Sequence, residues 1–281
     1  MTPAFRFGRR LGLGLLGEVA VVLTTLVVLF FLVYPTAWVL VASFKTPETM
    51  FAAGRWEFTL QNYVKLLDAG FGRNILNSLV LCIVSVAIST VLAVNAAYAF
   101  SRLRFRGKDA LFSSVLFGQT FPWIILVTPV FILCARLGWL NSMASMIFVY
   151  VAVTLPFSIY LLVGYLRAVP ESLDEAAIID GATRFQIIWR IVFPIMLPGI
   201  VATATYAFLL CWSEYLFALA LLTADEMKTM PLALYLYFGE NVTEWGHVMA
   251  AAALTTLPTL LLFLPLQTRM VSGLAAGSVK Q

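Results

Sequence analysis

The sequence predicts an all-α membrane protein in which six helices cross a bilayer. Three observations carry that reading. Of the 281 residues, 62% are hydrophobic and only 11% are charged, against about 25% charged in an ordinary soluble domain. Six apolar runs reach the length of about 20 residues needed to cross a hydrocarbon core about 30 Å thick, and Glu214 is the one formally charged residue in them. The 18 Lys and Arg residues fall unevenly on alternate loops.

The first run covers residues 19–43. Arg6, Arg9 and Arg10 precede it, as in a signal peptide, but it is longer than the h-region of about 7–15 residues and has no small-residue cleavage site. It is therefore read as a retained helix behind a short segment, 1–18. The second and third spans, 75–100 and 111–135, flank the basic turn 101–109. The fourth covers 143–165, the fifth 195–222 and the sixth 248–268, leaving a tail, 269–281. Pro35, Pro122, Pro129, Pro156, Pro198, Pro258 and Pro265 lie inside these runs, where they are expected as kinks. Backbone groups in hydrocarbon must be bonded internally, so the spans are expected to pack as a bundle, domain 19–268.

Charge orients the bundle. Arg6, Arg9, Arg10, Arg102, Arg104, Arg106, Lys108, Arg167, Arg184, Arg190, Arg269 and Lys280 are on the side of the N terminus, twelve of the 18 basic residues. By the excess of cations in cytoplasmic loops, both termini are expected in the cytoplasm.

The same composition excludes other classes. A formal net charge of +4 gives no basic patch for nucleic acid. Cys82, Cys134 and Cys211 lie in apolar runs as small hydrophobes, with no metal-ligand spacing. The single histidine, His247, reads as an interfacial residue rather than a ligand. No G-x-x-x-x-G-K-[ST] loop is present to cradle a phosphate, so ATP chemistry is expected on a partner, and with one histidine and no zinc spacing neither an enzyme nor a resident cofactor is expected in this chain.

The loop 166–193 has its own helix grammar. Ser172 and Glu175 form a capping box, and Gly181 is the residue type that ends a helix in the left-handed region. A second box follows at Thr183 and Gln186. Phe185, Ile188, Trp189 and Val192 then recur at helical spacing until Pro194. Two short amphipathic helices joined by a glycine turn are expected. Such a stripe suits either the lipid headgroups or a soluble partner, and small Ala176 and Ala177 favour close approach of a protein.

At this point the residues resemble a known family. Glu175-Ala176-Ala177, Gly181 and Ile191-Val192-Phe193-Pro194 are similar, in type and spacing, to the EAA signature of the permease subunits of bacterial ABC importers, with Phe193 where Leu is usual. The resemblance narrows to the carbohydrate, maltose-type branch. Ser43-Phe44-Lys45, Asn62-Tyr63, Asn77-Ser78-Leu79, Asp180-Gly181-Ala182, Trp212-Ser213-Glu214-Tyr215-Leu216 and the tail Gly273 to Lys280 carry it, although many members have Asn at the place of Ser213.

The resemblance implies a type I importer permease bundle in the bacterial cytoplasmic (inner) membrane, the smaller permease of a heterodimer. It implies an ATPase subunit dimer, holding ATP and Mg, that receives the loop through Glu175, Ala176, Ala177, Asp180, Gly181, Ala182 and Phe185. It also implies a solute-binding protein outside the membrane, facing the long loops 45–74 and 223–246, where headgroup contact by Trp56, Phe58 and the face Leu60, Tyr63, Val64 and Leu67 is the alternative.

Gln119, Trp123, Tyr150, Trp212 and Tyr215 are of the right type and depth to bind a sugar, by hydrogen bonds and by rings against its C–H faces, or else to pack helices and line the interfaces. Glu214 admits two readings. A carboxylate in a span costs about 2.5–3.5 kcal/mol on insertion scales, so it has a task. A proton-coupled secondary carrier would titrate it, whereas a pathway or structural role needs only hydrogen bonds.

Overall fold

The computed structural model describes residues 14–51, 54, 56–120, 122–238 and 245–278, with side chains 15, 16 and 263–278 outside the description. The predicted segment 1–18 lies largely outside these residues, and so does the end of the tail. Five described helices are long and apolar enough to cross a membrane, and a bent helix pair makes a sixth span if counted as one. The residues form two compact units, 1–66 with 239–253, and 67–238 with 254–281.

In the smaller unit, α1 (Leu15–Ala42) is the first span, and its apolar side chains from Val19 to Tyr34 are exposed. Beyond it the chain is knotted back on itself. Asn62, in α2 (Gln61–Asp68), donates from Nδ2 to the carbonyls of Ser43 and Lys45, both at 2.9 Å. Phe44 lies against Phe58 and Tyr63, with ring centroids 5.4 and 5.1 Å away. Lys45 Nζ lies between Trp38 and Trp56, 5.2 and 4.9 Å from their rings. Asn62 leaves no room for a side chain at Gly246, where a Cβ would run into Asn62 Oδ1. The Ser43-Phe44-Lys45 and Asn62-Tyr63 motifs thus build this knot.

The larger unit begins with α3 (Phe71–Arg102), the second span. The third span is not the single helix expected over 111–135. Instead α4 (Lys108–Phe117) and a 3-10 turn (Gly118–Thr120) meet α5 (Trp123–Arg136) at 98°. Pro122, at the junction, lacks an amide hydrogen and cannot continue the helical hydrogen-bond ladder of α4. The fourth span is α6 (Met143–Arg167), and α7 (Ser172–Ile179) follows in the next loop.

Two expectations about that loop are corrected. Ser172 and Glu175 do not form a capping box. Leu173 N bonds to Pro170 O and Asp174 N to Glu171 O, so the first turn starts before Ser172 and its side chain is already too far inside to cap. The second helix is not a separate interfacial one either. Thr183 and Gln186 make the predicted reciprocal box, but α8 (Arg184–Gln186) runs through a π-helical turn (Ile187–Val192) into α9 (Phe193–Trp212). Together these form one span, Arg184–Trp212. The wider π turn holds an extra residue just where Pro194 removes a donor, so the helix passes the proline unbroken.

This fifth span also ends sooner than expected, at Trp212 rather than 222. Short helices α10 (Leu216–Leu221) and α11 (Met230–Leu236) follow, and α12 (Trp245–Ser278) is the last span. The core lies between α3, α6 and the fifth span, around Ala93, Ala97, Ile159, Leu162, Leu166, Val192 and Ile200. Ser85, Ser89, Ala93 and Ala97 recur every four residues and let helices approach closely. Thr154 of α6 donates to Ser89 Oγ at 3.0 Å across that seam.

Candidate functional site

The loop between the fourth and fifth spans is anchored on one face and bare on the other. Ala177 is buried in the core and Asp174 against Arg102, at the end of α3, whereas Leu173, Ile178, Ile179 and Phe185 are exposed, Ile179 to 86% and Phe185 to 69%. Glu175, Ala176, Asp180 and Gly181 share the exposed side, and Ala182 is half-buried. Helix α7 ends as its sequence foretells. Gly181, at φ +80°, donates to Ile178 O at 3.0 Å and Ala182 to Ala177 O at 2.9 Å, the paired bonds of a Schellman motif.

An eight-residue helix is marginal on its own. The loop is held by Arg102, whose Nε donates to Asp174 Oδ2 at 2.9 Å and Nη2 to Val169 O at 2.7 Å. Nη1 reaches Glu171 at 3.5 Å. The Arg102 and Asp174 side chains are 7% and 8% exposed. Neither stood out in the sequence, where Arg102 served only as one of the orienting cations. The available signal was that Asp174 and Ala177, three apart, share a helix face, with Ile179 on the opposite side.

On the other side of the spans, Glu214 lies not within the fifth helix but in the break after it, 8% exposed. Its Oε1 accepts from Phe217 N at 2.7 Å, and its Oε2 from Ala218 N at 3.2 Å and from Tyr150 Oη at 3.4 Å. The carboxyl group caps the first turn of α10, so both oxygens of this buried side chain have hydrogen-bond partners.

The polar loop after α10 is fastened by asparagines. Asn141 Oδ1 accepts from Thr223 N and Ala224 N at 2.7 and 2.8 Å, and Asn74 and Asn77 donate to Lys228 O, each at 3.0 Å. Ser78 Oγ accepts from Met230 N at 2.8 Å, which accounts for the Asn77-Ser78 motif.

The other predicted solute residues divide into three places. Gln119 and Trp123 line one cavity of about 390 Å³ beneath the bend between α4 and α5, with Val149, Ala152, Pro156 and Phe217. Gln119 Nε2 donates to Val153 O at 3.0 Å, so its amide also fastens the bend. Tyr150 is buried with Glu214. Trp212 is buried too, stacked on Phe208 with its Nε1 donating to Thr255 O at 3.1 Å, so it packs helices. Tyr215 meets Tyr235, ring centroids 5.4 Å apart. The structure thus joins Tyr150 to Glu214 and Gln119 to Trp123, and gives Trp212 a packing role.

Apolar spans with one anchored, apolar-faced loop between two of them are consistent with the permease class of transporter subunit. Residues 89–274 match the family of the binding-protein-dependent transport system inner membrane component, and the chain belongs to it.

It is 34% identical over 265 residues to the diacetylchitobiose uptake system permease protein DasC of Streptomyces coelicolor, covering 91% of this chain and 95% of that one. It is 35% identical over 253 residues to the trehalose/maltose transport system permease protein MalG of Thermococcus litoralis, covering 88% and 91%. Its fold matches, at a TM-score of 0.77 and 21% identity over 94% of this chain and 97% of the other, a bacterial ABC transporter involved in the import of the acidic polysaccharide alginate.

The protein is therefore an inner membrane transport subunit of an ABC importer. Its ATPase activity lies in a separate subunit, and the proton-coupled reading of Glu214 gives way.

Proposed function

We propose that the chain is one of two different permeases that together enclose the pathway for a sugar or oligosaccharide. Loop 168–183 docks on one subunit of an ATPase dimer that binds ATP and Mg, and a solute-binding protein delivers the sugar on the opposite face. Both termini are cytoplasmic in this reading, and lipid covers α1. The carbohydrate assignment is supported by the names of relatives at 34% and 35% identity.

The observation that carries the docking role is the exposed apolar set Leu173, Ile178, Ile179 and Phe185 on a loop whose other face is pinned by Arg102 and Ala177. Isolated surface leucines are ordinary, but a pinned cluster of this kind marks an interface. Glu175, Ala176, Asp180, Gly181 and Ala182 form the polar and small surround of that patch. Gln119, Trp123, Tyr150, Glu214 and Tyr215 are assigned to the pathway as wall and framework.

Ile179→Cys tests the docking directly. In the assembled complex, a short thiol cross-linker should join it to the ATPase subunit, with yield that changes when ATP is added. No adduct with the ATPase, in a complex that transports, overturns the docking role. Proteoliposomes holding the complex and its binding protein, offered labelled di- and trisaccharides, amino acids and peptides in parallel, test the substrate class. Uptake confined to the amino acids or peptides refutes a sugar.

A further inference from the structure

The smaller unit holds a cavity of about 480 Å³ that neither the pathway residues nor the docking loop line. Its wall comes from the segment after α1, the start of α2 and the start of α12. With cytoplasmic termini, that end of α1 is the outer one. The volume is within the range of about 300–1,000 Å³ usual for small-molecule sites.

Part of the wall is fixed by bonds the chain makes to itself. Asn62 holds the Ser43 and Lys45 carbonyls, Thr46 Oγ1 lies 2.9 Å from Thr49 Oγ1, and Thr59 Oγ1 accepts from Gln61 N at 3.1 Å. Gly246 packs against Asn62 with no room for a Cβ, which seats the first turn of α12 beside α2. The frame is therefore set before any ligand arrives, and binding need not pay to order it.

Other groups of the wall are left over. Glu48 and Lys65 carry opposite charges, yet neither forms an ion pair with any described residue, and the Gln61 side-chain amide bonds to none. Gln61 and Lys65 are four apart in α2 and so share one helix face. Beside them Phe51 and Trp245 meet edge to face, with ring centroids 5.8 Å apart, and keep 68% and 42% of their surface exposed.

This set suits a neutral polyhydroxy compound. A carboxylate accepts from hydroxyls, an ammonium donates to them and an amide does both, while each sugar hydroxyl can donate and accept at one oxygen. The charges of Glu48 and Lys65 offset each other, so the wall offers no net charge to an ionic ligand. The two rings supply apolar surface for the C–H faces of a sugar ring.

We propose that this cavity is a saccharide site separate from the pathway, in which Glu48, Gln61 and Lys65 bond the hydroxyls and Trp245 and Phe51 lie against the ring faces. It shares no residue with Gln119, Trp123, Tyr150, Glu214 or Tyr215. The proposal rests on the sugar reading above, and the two fail separately. Uptake confined to amino acids or peptides refutes the transported sugar, whereas the labelling below tests the cavity whichever solute is carried.

The test uses the assembled complex in nanodiscs, without the solute-binding protein, and a diazirine derivative of cellobiose as probe. After photolysis, mass spectrometry should find adducts within 46–51, 59–65 or 245–247, and excess cellobiose or maltose should remove them. In Trp245→Ala and in Gln61→Ala, the probe concentration giving half-maximal adduct should rise by about 5-fold or more. Gln61→Ala takes away only an exposed side chain without a described bond, so it keeps the test open if Trp245→Ala does not assemble. No adduct in these segments, or adducts that excess sugar does not remove, overturns the proposal. So does Gln61→Ala with unchanged half-saturation, and if that variant instead weakens capture of the solute-binding protein, the cavity is a protein contact.

Discussion

Replacing Glu214 by Ala and by Gln should have different consequences, and the difference measures what the carboxylate does. In Glu214→Ala, the amides of Phe217 and Ala218 and the hydroxyl of Tyr150 lose their acceptor in a site 8% exposed. Each buried donor left without a partner costs about 1–3 kcal/mol. The Tyr150 bond, at 3.4 Å, is already long and its loss is minor. Two amides therefore set a cost of about 2–6 kcal/mol, at or above the upper end of what lost helix caps show.

In Glu214→Gln, one oxygen remains for Phe217 N, whose bond is the shorter at 2.7 Å, and the phenol of Tyr150 can turn to accept from the new amide. The cost falls to about 1–2 kcal/mol, for the Ala218 bond and the lost charge. The assay pairs denaturant midpoints of the complex in nanodiscs with sugar uptake in proteoliposomes. Gln should lie nearer wild type than Ala in both. If Gln proves as damaging as Ala in midpoint, the cap is not the source of the effect. If Gln abolishes uptake in a complex of normal midpoint, the carboxylate has a chemical task and the framework assignment fails.

Four further outcomes follow from the geometry. Gly181→Ala places a side chain at φ +80°, a strain of about 1–2 kcal/mol, and should lower uptake per ATP without reducing the amount of chain in the membrane. Gly181→Pro, unable to donate to Ile178 O, should be worse, and unchanged uptake in that variant refutes the loop assignment. Gly199→Ala drives a Cβ to 2.5 Å from the Tyr165 ring and should destabilise the bundle by about 1–3 kcal/mol, read as a lowered midpoint, and Tyr165→Ala, which removes every ring atom, should relieve the clash. Thr183→Ala removes the cap that starts the fifth span and should cost about 0.5–2 kcal/mol, seen as faster amide exchange at Gln186.

The spans were legible because hydrophobic length is a one-dimensional property, and so was the Thr183 box, which is closed within four residues. The structure departs from the sequence reading where a local signal met a competing one. Pro122 and Pro194 look alike in an apolar run, yet one breaks the third span and the other is carried by a π turn in a continuous helix. Which outcome wins depends on the neighbours that pack each segment, and those are remote in sequence. Ser172 and Glu175 match a capping pattern, but the carbonyls of Pro170 and Glu171 start the turn earlier and take the amides first.

The site residues missed by the sequence share a single physical cause. Arg102 and Asp174 are 72 residues apart, and Asn141 and Thr223 are 82 apart. No periodicity links such pairs, since the third and fourth spans intervene between the first two residues and the fourth and fifth between the second two. Their side chains nevertheless decide how the broken ends of the helices are held. At both faces the irregular segments, 168–183 and 213–229, are fixed by polar side chains from the ends of other spans, Arg102 on one and Asn74, Asn77 and Asn141 on the other. Side-chain bonds also join helices along their length, as from Thr154 to Ser89 and from Trp212 to Thr255, but those that fix the irregular segments come from near the ends of the spans, where water and polar side chains meet the chain.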